Sequence, residues 1–216
     1  MKVNTDGVLL GAWADVSGAE NILDIGTGTG VIALMMAQRN PTAIVDAIDI
    51  DTDAFAQAGE NFLDSKWSER LCAHHVSLQS YCHERKYDLI ISNPPYFVDD
   101  YKTDDHQRNI AKHSISLSYK ELISGINRLL SEPGSAFLVL PAFNLPLFES
   151  LAEEGNLFIT KLTEVVAVNG KPPYLVLIKS GRQKKKYSKD SIVIQNEEGI
   201  FTDEYKSLTK DFYLKF

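Results

Sequence analysis

Two short segments of the chain carry groups suited to chemistry. The first is Asn93-Pro94-Pro95-Tyr96. It joins an amide side chain, a carbonyl held rigid by the ring that follows it, and an aromatic. That set suits a planar amino group on a π system. An ordinary strand-ending turn would also explain the prolines, because a proline pair cannot continue a ladder. The second segment is Asp24-Ile25-Gly26-Thr27-Gly28-Thr29-Gly30. Its glycines permit a tight turn and close approach of a ligand. Alone they describe any strand–helix turn. With Asp49 at the end of the next apolar run, placed where a carboxylate can bond both ribose hydroxyls, they point to a nucleoside ligand. The dinucleotide fingerprint wants glycine at the first, third and sixth places. Here the sixth is Val31 and the last glycine, Gly30, comes one residue early, which argues against a nicotinamide or flavin. Asp51, a rival ribose ligand, reads better as a helix N-cap.

The elements that must hold these segments alternate. Apolar runs at Ile22–Ile25, Ala43–Ile50, Leu71–Val76, Tyr87–Ser92 and Ala136–Leu140 read as strands, and two late strands follow at Leu157–Val168 and Tyr174–Ile178. Helical spacing occupies the intervals from Val31 to Ala37, Ala54 to Leu63, Ser118 to Leu130 and Leu145 to Glu154. An N-terminal helix anchored by Leu9, Leu10 and Trp13 takes its cap from Thr5 or Asp6. The alternation predicts an α/β, Rossmann-like, seven-stranded and mostly parallel sheet with an antiparallel edge strand. Both chemical segments then fall at carboxyl ends of strands, where such sheets bind ligands. The polar stretch from Phe97 to Ser116 is long enough to be functional.

The length of 216 residues suits one domain over 1–216, with residues 179–216 as a C-terminal hairpin and helix extension. Charged residues are 24% and the net charge is −7, which argues against a protein that coats DNA non-specifically but leaves room for a local basic patch. No apolar run approaches the roughly 20 residues needed to cross a bilayer, and no signal peptide opens the chain. Cys72 and Cys82 are too few for a disulfide framework and read as reduced thiols of a cytoplasmic protein. The five histidines show no zinc-ligand spacing with them, so no metal is expected.

Asp24 to Gly30 followed by Asn93 to Tyr96 resembles the class I S-adenosyl-L-methionine (AdoMet)-dependent methyltransferases that modify planar amino nitrogens. The opening from Met1 to Ala14 and the ending from Tyr205 to Leu214 narrow this, because both look like the bacterial tRNA1(Val) adenosine-37 N(6)-methyltransferase family. The resemblance runs over nearly the whole chain. It implies the class I methyltransferase fold, AdoMet as cofactor, and a tRNA anticodon stem-loop as partner. It implies catalytic roles for Asn93, Pro94 and Tyr96. It implies cofactor contacts from Thr5, Asp24, Gly26, Thr27, Gly28, Gly30, Asp49, Ile50, Ser77, Leu78 and Asn93. Substrate contacts are expected from Pro95, Phe97, Arg108 and Lys112.

This chain departs from the family pattern in places. Ser77 stands where many class I enzymes hold an acid for the adenine amino group, and Pro172-Pro173-Tyr174 stands where an arginine is common. Family chains usually carry a further stretch ahead of the Met-Lys-Val segment. The basic run holding Lys179, Arg182, Lys184, Lys185, Lys186 and Lys189 suits either a solvated turn or a phosphate-tracking patch, and Lys184, Lys185 and Lys186 are counted as candidate substrate contacts. Three alternatives stay open at this point. The same tetrapeptide serves enzymes acting on DNA adenine or on a protein glutamine, and a silent AdoMet- or RNA-binding module is the third. The chain lacks a separate DNA-recognition domain and the N-terminal helical domain usual in the glutamine enzymes.

Overall fold

A computed structural model describes residues 4–94 and 117–213. One sheet of eight strands runs through them in the order β3-β2-β1-β4-β5-β7-β6-β8. The strands are β1 (Asn21–Ile25), β2 (Ile44–Asp49), β3 (Leu71–His75), β4 (Tyr87–Ser92), β5 (Leu130–Pro141), β6 (Phe158–Val168), β7 (Leu175–Gly181) and β8 (Ser188–Gln195). Helices α1 (Thr5–Trp13), α2 (Val31–Arg39), α3 (Thr52–Leu63), α4 (Tyr119–Leu129), α5 (Leu145–Glu154) and α6 (Asp203–Thr209) cover its faces. All strand pairs are parallel except those made by β7, which runs against both β5 and β6. The α/β class and the antiparallel pairing beyond β5 match the expectation from sequence. The strand count does not: there are eight, not seven. The stretch Ser188–Gln195 adds an eighth strand outside β6 rather than forming a separate hairpin. Its start is charged and its only apolar run is Ile192-Val193-Ile194, so periodicity alone gave it little weight.

The central strands read as near-continuous apolar runs because both faces are covered. On one face α1, α2, α3 and α6 pack Leu9, Leu10, Met36, Phe62 and Tyr205 against Ile22, Val45 and Ile91. On the other, α4 and α5 pack Ile123, Ile126 and Phe148 against Leu23, Ile90 and Leu138. Four of the six helices, α1, α3, α4 and α6, start on a side-chain cap. Asp51 Oδ1 accepts from the Ala54 amide at 2.8 Å, which is the capping role read for it. Ser118 and Glu121 form a reciprocal capping box at α4. The α1 cap corrects the expectation: it is Asn4, not Thr5 or Asp6, whose Oδ1 accepts from the Gly7 amide at 2.9 Å.

Strand order reverses at β1, which has β2 on one side and β4 on the other. A reversal of this kind opens a crevice at the carboxyl ends of the strands. The Gly26–Gly30 turn follows β1 into α2, and Asn93 follows β4. The two ends are locked in register, Ile25 opposite Ser92, and the Ser92 hydroxyl donates to the Ile25 carbonyl at 2.8 Å.

Candidate active site

The glycine turn is held from behind. The Gly26 and Thr27 amides donate to the Ile48 carbonyl at 2.9 and 3.1 Å, and the Gly30 amide closes the turn on the Thr27 carbonyl at 2.9 Å. Gly26, Gly28 and Gly30 have φ of +69°, +59° and +80°, the left-handed region that glycine adopts without strain. A Cβ on Gly26 would have no neighbour within 4 Å, so the turn faces open space there. A Cβ on Gly30 would lie 2.5 Å from the Phe62 ring, so this glycine lets α3 pack against the turn.

Asp24 lies fully buried beneath the turn. The Thr27 hydroxyl donates to its Oδ2 at 2.6 Å, while Oδ1 is buried without a hydrogen-bond partner among the described residues. Burial pushes the carboxyl from its ordinary 3.8 up to about 7, against the Thr27 hydroxyl, which favours the charged form. A buried carboxyl with one unpartnered oxygen under a glycine turn suits a cationic ligand group. Thr27 turns its hydroxyl inward to Asp24, which leaves its backbone for any ligand contact.

Asp49 ends β2 beside the same turn. Its Oδ2 accepts from the Gly28 amide at 2.8 Å and its Oδ1 from the Asp51 amide at 2.9 Å. These bonds fix the carboxylate and leave each oxygen a second lone pair for a ribose hydroxyl. Ile50, next along, is 54% exposed and offers an apolar surface to a base. The Ser77 hydroxyl donates to Ser80 Oγ at 3.2 Å and accepts from the Ser80 amide at 3.3 Å, so it is engaged in its own turn. Leu78 is buried beneath α4, where it fills the space a Cβ on Gly125 would need, and its carbonyl accepts from Arg128. Ser77→Ala is expected to change AdoMet affinity by less than about threefold, because a neutral hydroxyl already bonded elsewhere has little to contribute. Titration calorimetry reads this directly, and a loss of tenfold or more would assign the adenine contact to the hydroxyl.

Asn93 is half-buried and Pro94 buried at the end of β4. The Asn93 Nδ2 lies 3.4 Å from Asn4 Oδ1, so the start of α1 reaches the tetrapeptide. Thr5 is exposed on the first turn of that helix. Asn4 was missed by sequence reading, because three consecutive cap-capable residues, Asn4, Thr5 and Asp6, gave no reason to prefer the first. Pro95, Tyr96, Phe97, Arg108 and Lys112 lie outside the described residues.

The basic run is not brought to this crevice. Residues 182–187 join the end of β7 to the start of β8, at the amino end of the parallel strands and thus opposite the glycine turn. Lys184 pairs with Glu153 and lies over the Phe158 ring, 5.7 Å from its centroid. Lys189 pairs with Glu164 at 2.8 Å. Arg182 is turned inward to the Asn127 and Leu130 carbonyls. Lys185 and Lys186 stay exposed.

The histidines of β3 make local contacts, and the His75 ring stacks on Phe55 with centroids 5.4 Å apart. His74 lies 2.7 Å from Asp46 Oδ1, and Asp46 Oδ2 accepts from the Tyr87 hydroxyl at 2.8 Å. Burial alone would raise the Asp46 carboxyl, but these two bonds and the charge of His74 hold it below its ordinary value. Cys72 Sγ lies within 4.8 Å of the Asp46 and His74 ligand atoms. Both Asp46 oxygens are bonded to protein groups.

Sheet order, a single reversed strand and a glycine turn facing the end of β4 define a class I methyltransferase fold. Solved structures agree. A predicted O-methyltransferase of Agrobacterium tumefaciens superposes with a TM-score of 0.74 at 15% identity, over 95% of this chain and 96% of that one. A ribosomal protein L11 methylase of Lactobacillus delbrueckii superposes at 0.59 with 19% identity, over 82% and 77%. Residues 7–145 match the methyltransferase small domain family. Curated relatives named tRNA1(Val) (adenine(37)-N6)-methyltransferase are 42% identical in Flavobacterium psychrophilum, over the whole of this chain and 93% of that one, and 43% in Parabacteroides distasonis, over the whole chain and 92%. The chain belongs to the family of the tRNA1(Val) (adenine(37)-N6)-methyltransferases.

Proposed function

We propose that the protein transfers a methyl group from AdoMet to the exocyclic amino nitrogen of adenosine 37 in the anticodon loop of a tRNA. The observation that carries the reading is the placement of Asn93 at the end of β4, next to the glycine turn, in a chain whose full-length relatives bear the name of that reaction. The residues present fit AdoMet. Asp24 offers an orphaned buried oxygen, Gly26 an open face, Asp49 a fixed carboxylate and Ile50 an apolar surface. When bound, AdoMet supplies the methyl group on a sulfonium.

The protein's own task is positioning. An adenine amino nitrogen is a poor nucleophile because its lone pair is delocalised into the ring. Asn93 Oδ1 and the Pro94 carbonyl each accept one of its N–H bonds, favouring a pyramidal nitrogen with its lone pair turned out for in-line attack. Both acceptors also face the positive charge that develops on the nitrogen. The alkylated nitrogen is acidic and loses its proton to water without a dedicated base. Tyr96, adjoining this pair in sequence, is assigned to stack on the base, worth roughly 1–3 kcal/mol. An anticodon-loop base is already largely unpaired, so extruding it costs little.

No helix among the described residues is long and apolar enough to cross a membrane, and both cysteines are free thiols. The reading places the reaction in the cytoplasm. Mass spectrometry of tRNA fragments after incubation with AdoMet tests it: N6-methyladenosine in the anticodon-loop fragment is expected, and methyl label in protein or DNA instead overturns it. Neutralising Lys184, Lys185 and Lys186 together is expected to change the salt slope of tRNA binding by less than one, given their position at the far end of the sheet. A slope shallower by two or more would restore them as phosphate contacts.

A further inference from the structure

We propose that Asn4 is a positioning residue for methyl transfer, one that fixes which end of the Asn93 amide faces the target amine. The proposal rests on the functional reading above and deepens it. The Gly7 amide donates to the Asn4 side chain at 2.9 Å. A backbone N–H cannot donate to an NH2 group, so the atom it meets is the amide oxygen of Asn4. The Asn93 amide approaches that same oxygen at 3.4 Å. Two oxygens would repel there, so the nearer atom of Asn93 is its NH2. Its Oδ1 is thereby turned away from α1 and is the end left to accept a substrate N–H. With the amide reversed, two donors would confront each other and the site would lose an acceptor.

Gly7 makes the approach possible. A Cβ there would sit 3.1 Å from Asn4 Oδ1, 3.6 Å from Asn93 Nδ2 and 3.6 Å from Ile32 Cδ1. The start of α1 thus touches the tetrapeptide through one shared oxygen that caps the helix and holds the amide. These two duties separate chemically. Serine caps a helix as well as asparagine does, but its oxygen is one bond nearer the backbone and falls short of Asn93. Aspartate keeps an oxygen at the position of Asn4 Oδ1 and serves both duties.

The test uses the full chain with tRNA and AdoMet. Asn4→Ser is expected to keep the wild-type melting temperature and AdoMet affinity while kcat falls about 10-fold, the scale of a misplaced catalytic group. Asn4→Asp is expected to restore kcat. Wild-type kcat in Asn4→Ser overturns the proposal. So does a kcat loss in Asn4→Ser that tracks a lowered melting temperature, which marks a cap alone, and so does a failure of Asn4→Asp to rescue. Asn93→Ala, measured alongside, separates the two levels. If it remains active, the functional reading falls and this proposal with it; if it is inactive while Asn4→Ser is normal, only the role of Asn4 falls.

Discussion

Asn93→Ala is expected to lower kcat for methyl transfer by at least about 10²–10³-fold, the scale seen when one preorganised polar contact to a developing charge is removed. AdoMet affinity should stay within about threefold, because the glycine turn, Asp24 and Asp49 are held by bonds that do not involve Asn93. The loss belongs in kcat rather than KM, since the amide acts when the nitrogen pyramidalises. Asn93→Asp is the informative companion. It keeps both the shape and an acceptor oxygen and should retain measurable turnover, whereas Asn93→Ala loses both. Single-turnover kinetics with saturating AdoMet checks both; normal transfer by Asn93→Ala would remove the tetrapeptide from the chemistry.

Asp24→Asn is expected to separate stability from cofactor binding. The folded protein holds the Asp24 proton up to about pH 7, whereas an unfolded chain releases it near 3.8. Folding therefore favours the protonated form. The Asp24 contribution is most favourable below pH 4, declines as pH rises between about 4 and 7, and is level above that. At 1.36 kcal/mol per pH unit over that interval, the decline is of order 4 kcal/mol. Asparagine keeps an acceptor for the Thr27 hydroxyl but carries no charge to bury. The variant should melt several degrees higher than wild type at pH 8 and alike at pH 4. Its affinity for cationic AdoMet should fall about 10- to 100-fold at pH 8. Wild-type affinity should rise as pH climbs through 7, while that of the variant stays flat. Thermal melts and calorimetry across pH 5–8 check this, and parallel affinity curves would remove Asp24 from the cofactor site.

Much of this architecture could be read from the chain because its signals are local. The central strands are unbroken apolar runs, the glycines stop β1 abruptly, and the prolines stop β4, so both chemical segments were placed at strand ends. What was not legible depends on distance. Asp46 sits inside an apolar run, and only the fold brings Tyr87 and His74 to it. The eighth strand has three apolar residues in a row, and its pairing with β6 is set by tertiary contact rather than propensity. The lysine run suited a solvated turn and a phosphate patch equally, and only the reversal of β7 places it at the end of the sheet opposite the glycine turn. Asn4 touches Asn93 across 89 positions, a proximity that no window of sequence contains.

The Ile48 carbonyl, which ties down the Gly26 and Thr27 amides, has a wider meaning. The ligand cradle is assembled from three strands spread over residues 21 to 92, so no fragment or partly unfolded species can offer it. Occupancy then works as a thermodynamic vote for the intact molecule: at a hundred times its dissociation constant, a ligand that binds only the native form adds about 2.7 kcal/mol. Cells depleted of their methyl donor should therefore lose this protein to proteolysis as well as its product, coupling the abundance of the catalyst to the supply it consumes.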